Sequence, residues 1–260
     1  MAIVGIIPAR FGSTRLPGKP LSDIHGKTLI ERVYERARVA RTLDRVLVAT
    51  DDERIASAVR GFGGEAVMTA RSHPTGTDRL AEAAAGAVAE IVVNIQGDEP
   101  LLDPAGIDAA VLALLGDKAL PISTLSAPLL SVEEMLSPSV VKVVTDARGD
   151  ALYFSRSPIP HARTDEPTSA RAAAEAAVAR GLARKHVGLY AYRREALLRL
   201  ASLPPSPLEE AEALEQLRAL DHGLRIRVVP VTGEGGIAVD TPEDLERVRA
   251  LLAPQKGRVA

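Results

Sequence analysis

The chain has 260 residues, enough for one large domain or two small ones, and its 46% hydrophobic and 25% charged residues exclude a disordered chain. Lys and Arg number 32 against 34 Asp and Glu, so the basic excess of a bulk nucleic-acid binder is missing. The absence of Cys excludes disulfides, thiolate metal sites and cysteine nucleophiles, and 3% aromatics leaves little for base stacking.

The opening MAIVGIIPAR has no basic region before its apolar run and breaks at Pro8. A span needs about 20 apolar residues, so neither a membrane segment nor a signal peptide is expected, and the expected address is cytoplasmic. The continuous apolar run 2–7 predicts a strand covered on both faces. A Gly/Pro-punctuated loop follows to about Gly26. Thr28 can cap a helix over 29–40, with Ile30, Val33, Tyr34 and Ala37 on one face. Strands are predicted over 45–50, 65–69 and 90–95, alternating with helices over 53–62 and 77–88. That rhythm predicts a mainly parallel sheet flanked by helices.

After about Leu120 the pattern is mixed. Strands are predicted over 121–127, 140–146, 151–155, 187–192 and 224–231, with a hairpin turn at 147–150. The Ala- and Arg-rich stretch 162–185 predicts an exposed helix or excursion with little core-forming capacity. Helices are predicted over 195–200 and 208–222. Thr241, Pro242 and Asp244 form a capping-box start for a last helix. A single domain over 1–253 is expected, its halves meeting near 120, with residues 254–260 frayed.

The first strand-to-helix loop carries most of the chemistry. Arg10, Arg15 and Lys19 accompany Gly12, Gly18, Ser13 and Thr14 at the carboxyl edge of the sheet, where open α/β sheets bind ligands. Glycines let a backbone approach phosphate and the cations neutralise it, so a triphosphate is a natural partner. The loop is not a Walker A, which needs four residues between its glycines and Ser or Thr after the Lys; here five separate Gly12 from Gly18, and Pro20 follows Lys19.

Asp98, in Asn94-Ile95-Gln96-Gly97-Asp98-Glu99-Pro100, ends the fourth strand. It is placed either to hold Mg²⁺ against phosphate oxygens or simply to make a turn. Asp240 is either a second metal carboxylate or a helix-dipole partner. His186 and Tyr190 share a strand face with Gly188 between them, leaving room for a polar ligand. Glu212 and Gln216, one helical turn apart, can present an acceptor and an amide together. His25, His73, His161 and His222 are read as structural.

Six blocks then point one way: IIPARFGSTRLPGKPL, VVNIQGDEPLL, ALYFSRSPIP, HVGLYAYRREAL, SPLEEAEALEQLR and GIAVDTPEDLERVR. In this order they resemble the 3-deoxy-manno-octulosonate cytidylyltransferase (CMP-Kdo synthetase) family over nearly the whole chain. The resemblance implies a nucleotidyltransferase A-type α/β fold with a mixed β second half, Mg²⁺ dependence and a homodimer. It implies CTP and 3-deoxy-manno-octulosonate (Kdo) as substrates, with CMP-Kdo for lipopolysaccharide assembly as product, and neither nucleic acid nor membrane as partner. Residues 1–120 would bind CTP, and 121–253 would bind the sugar and dimerise. Arg10, Ser13, Arg15 and Lys19 would contact the triphosphate, with Arg10 and Lys19 catalytic. Thr75 and Gly76 would help read cytosine. Gln96, Arg156, His186, Tyr190, Glu212 and Gln216 would line the sugar pocket, and Asp98 and Asp240 would hold the metal. The alternatives are another acid sugar, such as 8-amino-Kdo or a sialic acid, or a nucleotide-binding module without turnover.

Overall fold

The computed structural model describes residues 2–13, 15–73, 75–163, 169–232 and 236–253. The chain divides into two compact units, Met1–Ile107 with Gly236–Ala260, and Asp108–Gly235.

The first unit opens on β1 (Ile3–Ala9), buried at all but one position, as its unbroken apolar run requires. The region expected to be loop contains a 3-10 turn at Lys19–Leu21 and a small hairpin, β2 (Asp23–Ile24) and β3 (Lys27–Thr28). Thr28 caps α1 (Leu29–Ala37), its hydroxyl accepting from the Glu31 amide at 3.2 Å. β4 (Arg45–Thr50), α2 (Glu53–Gly61), β5 (Glu65–Met68), α3 (Gly76–Gly86) and β6 (Ile91–Asn94) follow the expected rhythm. The strands pair in parallel in the order β6-β1-β4-β5, with Ile3 opposite Ile91, Val4 opposite Arg45 and Leu47 opposite Glu65. α1 packs on β1 and β4, and α3 on β1, β4 and β6. From β1 the chain steps outward to β4 and β5, then returns to β6 on the other side of β1. The carboxyl ends of β1 and β6 therefore form a topological switch point, where α/β sheets open a crevice for ligands.

α4 (Pro104–Gly116) spans the division between the units. It is not legible as a helix in the sequence because its apolar residues run all the way round: Ile107, Val111 and Leu114 are buried on one face while Leu112 and Leu115 are exposed on the other.

In the second unit β7 (Ile122–Pro128) is followed by α5 (Val132–Leu136), β8 (Lys142–Thr145), β9 (Ala151–Ser155), α6 (Ala170–Ala179), β10 (Arg184–Arg193), α7 (Arg194–Ser202), α8 (Pro207–Glu212), α9 (Gln216–Asp221) and β11 (Ile226–Pro230). β7 is parallel to β11 and antiparallel to β10, and β8 is antiparallel to both β10 and β9. The α/β class with a mixed second half is the one observed. The β8–β9 turn closes as expected, with the Asp146 amide donating to the Asp150 carbonyl at 2.8 Å and Gly149 at φ +81°.

The stretch 162–185 does build core: Ala173, Ala174 and Ala177 of α6 are buried, and Ala174 and Ala177 pack with Leu129, Met135, Ala162 and Ala183. Small side chains form this contact by close approach, which a search for large apolar residues misses. The helix expected over 208–222 is two helices, because Ala213 at φ +49° turns the chain into the left-handed region between α8 and α9.

α10 (Pro242–Leu252) returns the chain to the first unit. Its expected capping box is present: the Thr241 hydroxyl accepts from the Asp244 amide at 3.2 Å, and the Asp244 carboxylate accepts from the Thr241 amide at 2.9 Å. Leu245 and Val248 are buried with Val239, Ile24 and Leu29, and Leu16 and Ile237 pack against that cluster. Each such burial contributes about 1.5–3 kcal/mol, so one apolar cluster anchors both the 10–19 loop and the segment before α10. The expected frayed tail lies outside the described residues.

Candidate active site

At the carboxyl edge of the first unit's sheet lies a cavity of about 290 Å³. Arg10, Ser13, Arg15 and Lys19 line it from the loop after β1, Gln96, Gly97 and Asp98 from the end of β6, and Asp240 from the start of α10. Gly97 has a steric reason: a Cβ there would lie 2.8 Å from the Pro8 carbonyl, so only glycine lets the ends of β1 and β6 approach this closely.

The cationic loop has its own scaffold. The Phe11 carbonyl accepts from the amides of Ser13 and Gly18 at 3.0 and 3.3 Å. Gly18 stands at φ +68°, and a Cβ there would come within 3.2 Å of the Phe11 ring. The Arg54 guanidinium stacks on Phe11 with its central carbon 3.3 Å from the ring centroid. Asp52 grips Arg54 through two bonds of 2.9 and 2.7 Å, and these hold the Asp52 carboxyl down at about 2. No motif in the sequence links Arg54 to this loop. Ser13 accepts from the Leu16 amide at 3.3 Å, so its hydroxyl also shapes the loop.

The carboxylates converge. Lys19 Nζ lies 2.7 Å from Asp98 Oδ2 and 3.1 Å from Asp240 Oδ1, and Arg15 reaches Asp240 Oδ2 at 3.1 Å. Asp98 and Asp240 are 142 positions apart in sequence, 240 less 98, yet they share one ammonium. Their backbones are tied as well, since the Val239 amide donates to the Asp98 carbonyl at 2.8 Å. Burial disfavours the charge on Lys19, but the two carboxylates outweigh it and raise its pKa. Glu99 is set apart: burial first, and then the neighbouring Asp98 charge, push its carboxyl up to about 7. A Cβ at Gly236 would collide with the Glu99 carboxylate, so this glycine too makes room.

Thr75 caps α3, accepting from the Asp78 amide at 3.2 Å and donating to Asp78 Oδ2 at 2.8 Å; Gly76 is the first helical residue, with open space beside it. The segment before them is fastened from below. Buried Arg79 bonds Thr69 and pairs with Asp51 at 3.1 Å, while Glu82 accepts from the Ala70 amide at 2.9 Å and bonds His73. His73 therefore has the structural partner expected of it, as do His25 on the Arg249 carbonyl at 2.7 Å and His222 on the Arg218 carbonyl at 2.9 Å. Nothing in the sequence pattern marks Arg79 as an arginine that folds inward.

The second unit gathers Arg156, His186, Tyr190, Glu212 and Gln216 near the edges of β9 and β10. Glu212 accepts from the Ser155 hydroxyl at 2.7 Å and the Arg156 amide at 2.9 Å. Burial opposes its charge, but these bonds and the nearby cations hold its carboxyl below the usual range. The Arg156 guanidinium donates to the carbonyls of Glu212, Pro138 and Ala213 at 2.7, 3.0 and 3.3 Å. The break at Ala213 means that Glu212 and Gln216 do not share one helical turn, which corrects their expected spacing. Gln216 has a buried amide nitrogen with no hydrogen-bond partner among the described residues, an orphan donor of the kind a polar ligand satisfies. Lys142, which no sequence signal singles out, is fully buried and donates to the carbonyls of Ser137, Val140 and Arg156.

His186 sits between Phe154 and Tyr190, with ring centroids 5.1 and 5.3 Å away. Loss of water pulls its pKa down to about 3. The folded protein thus refuses a proton that the unfolded chain binds below about 6.5, so this contribution to stability is present above pH 6.5 and is lost as pH falls toward 3. Stability should fall between those values with a slope approaching about 1.4 kcal/mol per pH unit from this group. Denaturant melts of wild type and His186→Gln at pH 7, 5.5 and 4 check it: the wild type should lose more stability than the variant.

A loop of three cations facing two converged carboxylates, at the switch point of a parallel sheet, is a nucleotide-binding arrangement of the nucleotidyltransferase class. The sequence profile of the cytidylyltransferases matches residues 4–226. Over 252 residues the chain is 56% identical to a 3-deoxy-manno-octulosonate cytidylyltransferase of Syntrophotalea carbinolica, covering 97% of this chain and 99% of that one. It is likewise 56% identical to the Geobacter sulfurreducens enzyme of the same name, covering 95% and 98%. Among solved structures, a CMP:2-keto-3-deoxy-manno-octonic acid synthetase complexed with CTP superposes with a TM-score of 0.88 at 47% identity, covering 97% of this chain and 99% of that one. A 4-diphosphocytidyl-2C-methyl-D-erythritol synthase from Anaerococcus prevotii, 13% identical with a TM-score of 0.60 over 97% of this chain and 99% of that one, shares the fold. The chain belongs to the 3-deoxy-manno-octulosonate cytidylyltransferase family.

Proposed function

We propose that the protein transfers CMP from CTP to Kdo, releasing pyrophosphate and forming CMP-Kdo for lipopolysaccharide assembly. The observation that carries this is the shared ammonium: Lys19 between Asp98 and Asp240, in a cavity lined by Arg10, Ser13 and Arg15. A binding module without turnover has no need of two carboxylates held together beside a phosphate loop.

The anomeric hydroxyl oxygen of Kdo bonds to the α-phosphorus of CTP. The bond from that phosphorus to the bridging oxygen breaks, and pyrophosphate leaves in line. Arg10, Arg15, Lys19 and Ser13 bind the triphosphate and neutralise the charge that spreads onto its oxygens. Thr75 and Gly76 are assigned to the cytosine. Gln96, Arg156, His186, Tyr190, Glu212 and Gln216 are assigned to the sugar, on the strength of the family motifs.

The residues present fit Mg²⁺. Two carboxylates already converge on one cation, the Lys19 ammonium, and Mg²⁺ in such enzymes takes one or two carboxylates and completes its shell with water and substrate phosphate. Bound at Asp98 and Asp240, it would acidify the attacking hydroxyl and neutralise phosphate oxygens. No described helix is long and apolar enough to cross a membrane. We place the enzyme in the cytoplasm as a homodimer, in keeping with its family.

The deciding assay is pyrophosphate release with CTP and Mg²⁺ across Kdo, 8-amino-Kdo and a sialic acid. Turnover with Kdo is expected. Turnover with a sialic acid alone would overturn the sugar assignment, and silence with every sugar would leave the nucleotide-binding module.

A further inference from the structure

Thr124 is fully buried on β7, opposite an interruption in β10. The ladder pairs His186 with Ser126 and Val187 with Leu125, then resumes at Tyr190 with Thr124, so Gly188 and Leu189 are the inserted residues. A bulge takes backbone groups out of the ladder. The Thr124 hydroxyl meets two of them, lying 2.8 Å from the Leu189 carbonyl and 3.3 Å from that of Val187. The same oxygen is 2.9 Å from Nε2 of His186.

A hydroxyl has one proton to give and two lone pairs to receive. Its nearest carbonyl, Leu189, can only accept, so the Thr124 proton goes there, and the Tyr190 hydroxyl, which also bonds the Thr124 side chain, donates to one of the two lone pairs. Toward the imidazole Oγ1 is then an acceptor, and Nε2 must carry the ring's proton. A neutral imidazole protonated at Nε2 has its lone pair on Nδ1.

We infer that Thr124 is a positioning residue for the sugar site: it latches the β10 bulge and fixes His186 as the Nε2–H tautomer, presenting Nδ1 as an acceptor for a hydroxyl of the acid sugar. This rests on the assignment of His186 to the sugar. The loss of water around the ring keeps it neutral at working pH, as an acceptor requires. A sugar lacking that hydroxyl, or carrying an ether there, would leave Nδ1 without a donor.

The test is the tautomer itself, read from ring nitrogen shifts in protein labelled with ¹⁵N-histidine, with His186→Gln identifying the signal. Wild type should show Nε2 protonated and Nδ1 bare. Thr124→Val should shift the population toward Nδ1–H and raise KM for Kdo about tenfold, the worth of one hydrogen bond, with KM for CTP within about twofold. Thr124→Ser should restore both. A purely structural Thr124 would lower the melting temperature and leave the tautomer and the KM for Kdo unchanged, which would overturn the inference. So would an Nδ1–H tautomer in wild type, a measurement that needs no folded variant. Unchanged KM for Kdo in His186→Gln would overturn it through its premise. Absence of turnover in wild type with every acid sugar would instead strike the proposed function.

Discussion

Asp98→Asn and Asp240→Asn should each lower turnover by on the order of 10³-fold, and the double variant should be at most about tenfold worse than either. The expectation comes from geometry: the two carboxylates reach the same ammonium at 2.7 and 3.1 Å, so one small cation can touch both. Removing either charge dismantles the pair, and the second removal finds little left to lose. Asn keeps the volume, and the backbone bond from the Val239 amide to the Asp98 carbonyl is untouched, so the fold should survive. If Asp240 only served the helix dipole, Asp240→Asn would cost a fraction of a kcal/mol of stability and keep its activity. Its position argues otherwise. The Asp240 amide is held by Asp244 Oδ2 at 3.1 Å, which leaves the carboxylate to face Lys19 and Arg15. Turnover against Mg²⁺ concentration for the three variants decides, and independent multiplicative losses would rule out a shared metal site.

What was legible in the sequence follows from which interactions are local. The parallel half was readable because β1, β4 and β6 are continuous apolar runs, and Thr28 and Thr241 marked helix starts through bonds to amides three residues on. The cationic loop was readable because its cations and glycines are neighbours in the chain. The convergence of Asp98 with Asp240 was not, since it depends on α10 docking through Val239, Leu245 and Val248 onto Ile24 and Leu29. Arg54, Arg79, Lys142 and Thr124 escaped for a related reason. Each acts through a partner set by tertiary contact: a ring beneath it, a carboxylate in the bend just after β4, three carbonyls, or a bulge across a ladder. The helix expected over 208–222 failed at Ala213, whose left-handed conformation is imposed by its surroundings on a residue that otherwise favours helix.

Lys19→Ala should cost on the order of 10²–10³ in turnover, the loss seen when one preorganised donor to developing charge is removed. An exposed loop residue would do this without touching the fold. Lys19, however, has a side chain only 17% exposed and is bonded to both carboxylates, so its removal leaves Asp98 and Asp240 beside each other without the ammonium between them. Stability without metal should therefore fall by about 1–3 kcal/mol, the usual cost of stripping a partly buried group of its partner. The same change opens the pair to an external cation. In wild type Mg²⁺ competes with a tethered ammonium; in Lys19→Ala it meets a bare Asp98 and an Asp240 held only by the exposed Arg15, and ligand that binds only the folded state raises the melting temperature. Mg²⁺ should thus stabilise Lys19→Ala more than wild type, and adding Asp240→Asn should erase the difference. Thermal melts with and without Mg²⁺, run beside turnover, separate the two roles of the lysine. Near wild-type turnover would leave the loop cation without a catalytic part, and an equal Mg²⁺ response in variant and wild type would mean that the carboxylates it bridges are not the metal site.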